Sequence, residues 1–205
     1  MEPAVAPSPE VRYLSADDLR VAASLLLQAY RDDPFFRSVF PADNYEQRLR
    51  AAIREELHEL WQREQIFVGL ELEGALVGVA SLLDGAYPLG QERFWNWRLK
   101  MALGTGWSGA RQWMAREQEI LERLDFDRTH LLQFVAVAPA YRRRGYGAQL
   151  LSSVIALERE RHINGLATMI YWPTLKPLFE SLGFNPIAEL NVGQVTGSLY
   201  QADLR

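Results

Sequence analysis

The chain contains no cysteine, which removes disulfide scaffolds, thiolate metal sites and cysteine nucleophiles together. It has only three histidines, His58, His130 and His162, and none stands at metal-ligand spacing. His58-Glu59 opens like a zinc-protease helix, but Trp61 and Gln62 follow and no second histidine arrives. No metal is expected. Positive charge is not in excess either: the formal net charge is −4, so the surface as a whole does not suit nucleic acid, and any anion site has to be local. No apolar run approaches the length needed to cross a membrane. The Pro/Ala-rich stretch Met1–Glu10 lacks a basic segment followed by an apolar one. It reads as a flexible lead rather than a signal peptide, with a cytoplasmic location as the expectation.

Apolar material is plentiful: 48% of 205 residues are hydrophobic and 23% charged, enough for one folded domain over residues 11–205. Ser15 and Asp18 form a loosened capping box, and Leu19, Ala22, Ala23, Leu26 and Tyr30 recur at helical spacing. They predict a helix over about 16–31, ended by Asp33-Pro34. Phe35, Phe36, Val39 and Phe40 then read as an aromatic connector, suited either to core packing or to one wall of an acceptor pocket. A second amphipathic helix is expected over about 43–63, followed by strands over 66–72 and 75–83 that turn at Glu73-Gly74. Residues 84–129 hold four of the six tryptophans, Trp95, Trp97, Trp107 and Trp113. They read as an inserted pair of helices, about 91–103 and 108–124, whose rings either staple it to the sheet or line a cavity. A strand over 130–137, a helix over 146–161, a strand over 166–172, a short helix over 175–182 capped by Gly183 and a hairpin about Gly193 complete the chain. The order implies an α/β fold with a mixed, mostly antiparallel sheet flanked by helices.

One stretch carries chemistry. Val135-Ala136-Val137 runs through Pro139 into Arg142-Arg143-Arg144-Gly145-Tyr146-Gly147-Ala148 and then into an apolar helix. The first turn of a helix leaves backbone N–H groups unpartnered, and the helix dipole makes that end an anion site. Two glycines let an anion touch the backbone, and three arginines bring positive charge to one place in an acidic chain. A diphosphate suits this arrangement. A dinucleotide fold would need a third glycine where Leu150 stands, and an acidic residue ending the strand over 166–172, where there is none. Gly104-Thr105-Gly106-Trp107-Ser108-Gly109 spells the dinucleotide motif, but it follows a helix and reads as an interhelical turn with Ser108 as cap.

Arg142 to Gly147, in its strand–turn–helix setting, resembles the signature of the GNAT N-acetyltransferase family, and Leu178-Phe179-Glu180 through Gly183-Phe184 resembles that family's second landmark. The likeness covers about residues 11–202 and is densest over 130–184. Asp33-Pro34-Phe35-Phe36 and Pro177-Leu178-Phe179 are similar to the branch containing puromycin N-acetyltransferase. The resemblance implies that acetyl-CoA or another acyl-CoA lies where the strands over 130–137 and 166–172 splay apart. Val135, Ala136 and Val137 would face its pantetheine, and Arg142, Arg143, Arg144, Gly145, Tyr146, Gly147 and Ala148 its pyrophosphate. Phe179 would pack against the coenzyme. A primary amine of a small molecule or peptide would attack the thioester directly, by a monomer or a homodimer.

The chain departs from the family where Phe179 replaces a tyrosine that commonly protonates the departing thiolate. Three residues are candidates for proton handling. Tyr171 can donate if it faces the cleft, and otherwise packs in the core. Gln133 cannot take a proton but can orient a water. His130 titrates in the useful range but is out of phase with Gln133, so the two cannot both face the acceptor. The expectation is that a water chain serves as base and no single residue is indispensable. The alternative to turnover is a coenzyme-binding module.

Overall fold

The computed structural model describes residues 8–205. The chain opens with strand β1 (Glu10–Tyr13), which the sequence pattern did not signal. Glu10 is therefore structured; residues 1–7 of the expected lead lie outside the described residues. Asp18 closes the next turn, accepting from the Ser15 backbone N–H at 2.7 Å while the Arg12 guanidinium holds both its oxygens. Helix α1 (Leu19–Tyr30) follows, burying Ala22, Leu25 and Leu26. The expected aromatic connector is itself a helix, α2 (Pro34–Val39). The reason is local: Asp33-Pro34 both stops one helix and starts the next, with proline at the first helical position and Asp33 accepting from the N–H groups of Phe35 and Phe36.

Helix α3 (Tyr45–Gln62) and the hairpin of β2 (Ile66–Leu72) and β3 (Ala75–Leu83) lie where periodicity puts them. Helices α4 (Trp95–Thr105) and α5 (Trp107–Leu121) meet at Gly106 alone, whose φ of 88° only glycine adopts readily. Ser108 is thus inside α5 rather than its cap. Strand β4 (Thr129–Val137) leads to α6 (Tyr146–Glu160), β5 (Gly165–Ile170), α7 (Lys176–Ser181) and the hairpin β6 (Phe184–Val192) and β7 (Val195–Asp203). β5 stops at Ile170, so Tyr171 and Trp172 leave the strand.

The seven strands form one sheet in the order β1-β2-β3-β4-β5-β7-β6, antiparallel except for β4 beside β5. Apolar clusters cover both faces, one under α1 to α5 and one under α6 and α7. The parallel pair is short. It runs from Thr129 with Gly165 to Leu132 with Thr168 and then ends, while β4 continues along β3 to Val137 and β5 along β7 to Ile170. A bulge marks the parting. Leu132 pairs Leu82 and Phe134 pairs Ser81, which leaves Gln133 as the extra residue. Such a bulge bends a strand and re-aims its side chains; here Gln133 and Phe134 both turn to the α1–α5 face.

A fully buried polar cluster clamps α3, α4 and α5 above that bulge. The Arg93 guanidinium donates to Glu56 of α3 at 2.6 Å, to Glu117 of α5 at 2.5 Å and to the Tyr87 hydroxyl. Trp97 and Trp113 donate their indole N–H groups to Glu56 and Glu117, both at 2.8 Å, and the Gly90 N–H donates to Glu117. Those two tryptophans staple the helical pair to the sheet; Trp95 and Trp107, 69% and 67% exposed, border a surface pocket of about 360 Å³ lined by Gln91 and residues of α4 and α5. Burial opposes the charge on Arg93, but Glu117 and Glu56 outweigh it and hold its pKa above the ordinary value, while burial pushes Glu56 up against the pull of Arg93. Removing one partner from such a group leaves an uncompensated buried charge. Arg93→Met is accordingly expected to lower unfolding free energy by about 3–5 kcal/mol, read as an earlier midpoint in urea; an unchanged midpoint would show that the two carboxylates find other partners.

Candidate active site

Past Leu132 the edge of β4 that faces β5 pairs with no strand among the described residues. Buried backbone groups must bond to something, and at Val135 they bond to Tyr30. The hydroxyl at the end of α1 donates to the Val135 carbonyl at 3.2 Å and accepts from the Val135 N–H at 3.1 Å, across 105 residues of sequence. Burial pushes the Tyr30 hydroxyl up to about 12, so it stays protonated. Two residues on, the Val137 carbonyl accepts from Nε of Arg142 at 3.0 Å. The stretch expected to face a pantetheine is therefore free of β5 and covered by two side chains.

The turn after β4 ends in a set of unused donors. The first hydrogen bond of α6 runs from the Gln149 N–H to the Gly145 carbonyl at 3.0 Å. The N–H groups of residues 143–148 donate no hydrogen bond among the described residues. Arg143 at φ 60° and Gly145 at φ 85° both take the left-handed conformation, which curls these donors toward one side. The space is open: a side chain at Gly145 would meet nothing within 4 Å, and one at Gly147 would make only ordinary contact with Leu178 and Val137. Arg142, Arg143 and Arg144 are exposed around it, with the Arg144 guanidinium over the Tyr141 ring. The end of β4 is thus joined to a concave run of N–H groups at the positive end of a 15-residue helix.

On the α1–α5 side of the opening, Gln133 and Tyr171 come together through Arg116 of α5, which donates to the Gln133 carbonyl oxygen at 3.4 Å and from Nε to the Tyr171 hydroxyl at 3.0 Å. Gln133 also donates to Glu56 at 3.0 Å, so its amide is engaged at both ends rather than left to orient water. Tyr171 stacks on Phe35 with centroids 5.4 Å apart, and Gly197 of β7 leaves the room its ring needs. Burial raises the Tyr171 pKa, with Arg116 pulling the other way. Asp33 belongs to the same group: its charge acts on Tyr30, Tyr171 and Tyr45, and Arg116 acts on it.

Two sequence candidates fall elsewhere. His130 turns to the opposite face of the sheet, against the buried Glu158 carboxylate of α6, so it does not join Gln133 and Tyr171. Phe179 is 3% exposed and packs edge-on against Phe184 in the core beneath α6 and α7. No site role for Tyr30, Asp33, Glu56, Arg93, Arg116 or Glu117 is legible in the sequence, where Tyr30 reads as part of a helical stripe and Asp33 as a helix stop. The available signal was charge set into apolar stripes, as with Glu56 among Ile53, Leu57 and Leu60, and Arg116-Glu117 between Trp113 and Ile120.

A model of the acetyltransferase (GNAT) family matches residues 26–184. Among solved structures, the chain is similar to a protein from Corynebacterium glutamicum described as histone acetyltransferase HPA2 and related acetyltransferase, with a TM-score of 0.73, 20% identity and 96% of each chain covered. It is also similar to PaiA N-acetyltransferase from Thermoplasma acidophilum in complex with coenzyme A, with a TM-score of 0.60, 13% identity, 96% of this chain and 99% of that one. A third is YncA from Salmonella typhimurium, solved with its cofactor acetyl-CoA, with a TM-score of 0.58, 17% identity, 97% of this chain and 95% of that one. No curated protein matches the chain.

The Tyr30 bridge gives a direct measurement. Tyr30→Phe leaves an N–H and a carbonyl of Val135 unpartnered and is expected to destabilise the protein by about 1–3 kcal/mol in chemical denaturation; no loss would mean that water replaces the hydroxyl without penalty.

Proposed function

We propose that this chain, which belongs to the GNAT acetyltransferase family, moves an acetyl or other short acyl group from acyl-CoA to a primary amine of a small molecule or peptide, by direct attack in a ternary complex. The observation that carries the reading is the union of two features at one end of β4: a strand edge released from β5 at Val135, and six successive N–H groups, residues 143–148, that donate no hydrogen bond among the described residues. The first suits an extended chain of amides, the second a diphosphate, and the coenzyme is both in one molecule. The coenzyme-bound PaiA and acetyl-CoA-bound YncA structures, which share the fold, support the same reading.

In this mechanism the pyrophosphate takes the N–H groups of residues 143–148, with Arg143 and Arg144 balancing its charge. The pantetheine amides replace Tyr30 and Arg142 on Val135 and Val137, and the thioester comes to rest near Gln133, where β4 and β5 part. The amine enters from the side of α1, α2 and α5, and its nitrogen bonds to the thioester carbon. The carbon–sulfur bond breaks, and the proton shed by the nitrogen goes to the departing sulfur, a leaving group comparable to cysteine with a pKa of about 8.5, so the coenzyme leaves as thiol. No metal is called for, and among the described residues no three His, Asp or Glu side chains lie together as ligands. The similarity of Asp33-Pro34-Phe35-Phe36 and Pro177-Leu178-Phe179 to the puromycin N-acetyltransferase branch is part of this proposal and rests on those segments alone.

One observation favours a second reading, a coenzyme-holding module with little turnover: position 179 offers a buried phenyl ring and no proton donor. Both readings predict binding. Coenzyme A at a hundred times its dissociation constant should add about 2.7 kcal/mol of stability. Gly147→Leu, which fills the concave turn, should abolish that gain while changing the stability of the free protein by no more than about 1 kcal/mol. Turnover separates the readings. With acetyl-CoA and a panel of amines, the enzyme releases free thiol, against no background from a protein without cysteine; a binder releases none.

A further inference from the structure

Asp33 is buried, 6% exposed, yet forms no ion pair among the described residues. Its two hydrogen bonds, from the N–H groups of Phe35 at 3.0 Å and Phe36 at 3.3 Å, both end on Oδ1, and Oδ2 accepts none among the described residues and keeps a small contact with solvent. Capping a helix needs neither burial nor a charge, since asparagine and serine cap about as well. A carboxylate taken out of water without a partner is costly, so its position here needs a reason beyond the cap. The surroundings supply one. Phe35, two residues on, stacks on Tyr171, and Tyr30, three residues back, holds the released edge of β4. Asp33 thus shares a pocket with Tyr30, Tyr171 and Arg116, each near enough to feel its charge, and Tyr30 reaches from there to the opening where the thioester is proposed to lie.

Resting on the function proposed above, we propose that Asp33 receives the attacking amine: it binds the acceptor as its ammonium ion and takes the proton that must leave before the nitrogen can attack. The acceptor class is then a primary amine that is cationic at neutral pH, steadied by the carboxylate and by the faces of the neighbouring rings. The protons balance without a further acid. The ammonium gives one to Asp33, which later passes it to water. The free amine attacks the thioester carbon, and its remaining excess proton goes to the sulfur as the carbon–sulfur bond breaks, yielding amide and thiol. This assigns to a side chain the role that the sequence left to a water chain.

Burial pushes the Asp33 carboxyl up to about 6, partly offset by the two N–H groups and by Arg116 of α5. The other titratable groups that feel its charge are Tyr30 of α1, Tyr45 of α3 and Tyr171 beyond β5, whose pKa values all lie above 10. None of the three titrates near neutrality; Glu56, the other carboxyl that burial holds above its ordinary value, is tied to Arg93 and Gln133, so it is the loss of the limb in Asp33→Asn that assigns a pKa near 6 to Asp33. A carboxyl whose folded pKa exceeds its unfolded value of about 3.9 is penalised when ionised. That penalty grows as pH rises from about 4 through about 6.

The test is Asp33→Asn, which keeps the cap. At pH 7 the variant should melt no lower than the parent protein, with any gain disappearing below about pH 4, and should keep its affinity for coenzyme A within about twofold. Its kcat/KM for a cationic amine, followed by thiol release from acetyl-CoA, should fall by about 100-fold or more. The parent profile should rise through about pH 6; the variant should lose that limb and rise only as the free amine appears. Hydroxylamine, neutral at pH 7, should lose much less. A variant with undiminished kcat/KM, or one that keeps the limb near pH 6, overturns the assignment and leaves the enzyme reading intact. Coenzyme binding with no thiol release from the parent protein and any amine overturns both.

Discussion

The parting of β4 from β5 after four paired residues governs the rest of the molecule. A sheet that stops pairing in its own middle leaves a row of N–H and carbonyl groups in a place with little water, and those groups require partners. Everything near the opening can be understood as a response to that demand: the Tyr30 hydroxyl on Val135, the Arg142 guanidinium on Val137, and the bulge at Gln133 that lets β4 bend away while still paired to β3. Parallel strands joined through a crossover helix ordinarily pair along their length. This pair does not, and the crossover helix α6 begins at the same end as the gap, so the released edge and the helix's positive terminus meet.

The opening is kept in shape from one side by an arrangement that apolar packing alone would not specify. Glu56, Arg93 and Glu117 are charges in a region with no water to screen them, and each is satisfied by several donors or acceptors, including two indole N–H groups and the Gln133 amide. Buried ion pairs of this kind add little net stability compared with well-packed apolar groups. Their geometry is demanding, however. Three helices and the bulge residue of β4 have to be in register at once for all of these bonds to form. Arg116 extends the same set of contacts outward to Tyr171, joining the rigid cluster to the wall of the opening.

Most of the fold was legible because most of it is written in local periods. Helical stripes in α1, α3 and α6, the strand runs of the two hairpins with their turn glycines, and the glycine-bearing turn before α6 each announce themselves within a dozen residues. Misreadings came where one residue had two functions. Asp33-Pro34 reads as a stop, but it is also a cap and a first helical position, so the sequence shows a connector where α2 stands. Gly106 joins two helices without the turn that Ser108 suggested. β1 is four residues long and held largely by its neighbour, too short for any period to show. The anion-binding turn was legible for the same reason as the elements: it is contiguous. Of the acceptor side only Gln133 and Tyr171 were legible, because Tyr30 with Asp33, Glu56, Arg116 and Tyr171 come from four separate segments and only the folded sheet brings them together. His130 illustrates the limit: a titratable residue on the right strand faces the wrong side of it, a matter of parity that no composition argument decides.

The Tyr30 bridge has a consequence for how tightly such a cleft can hold its occupant. Since the Tyr30 hydroxyl already satisfies both backbone groups of Val135, a ligand that docks along this strand trades bonds rather than adding them. Two contacts are given up for two formed, and the enthalpic gain at that point is close to nil. Whatever grip the protein has on an extended molecule must then originate at its far, charged end, where the donors of residues 143–148 carry no hydrogen bond among the described residues. The middle of the cleft would act as a ruler, admitting chains whose amides fall at the correct interval, while the helix terminus acts as the anchor.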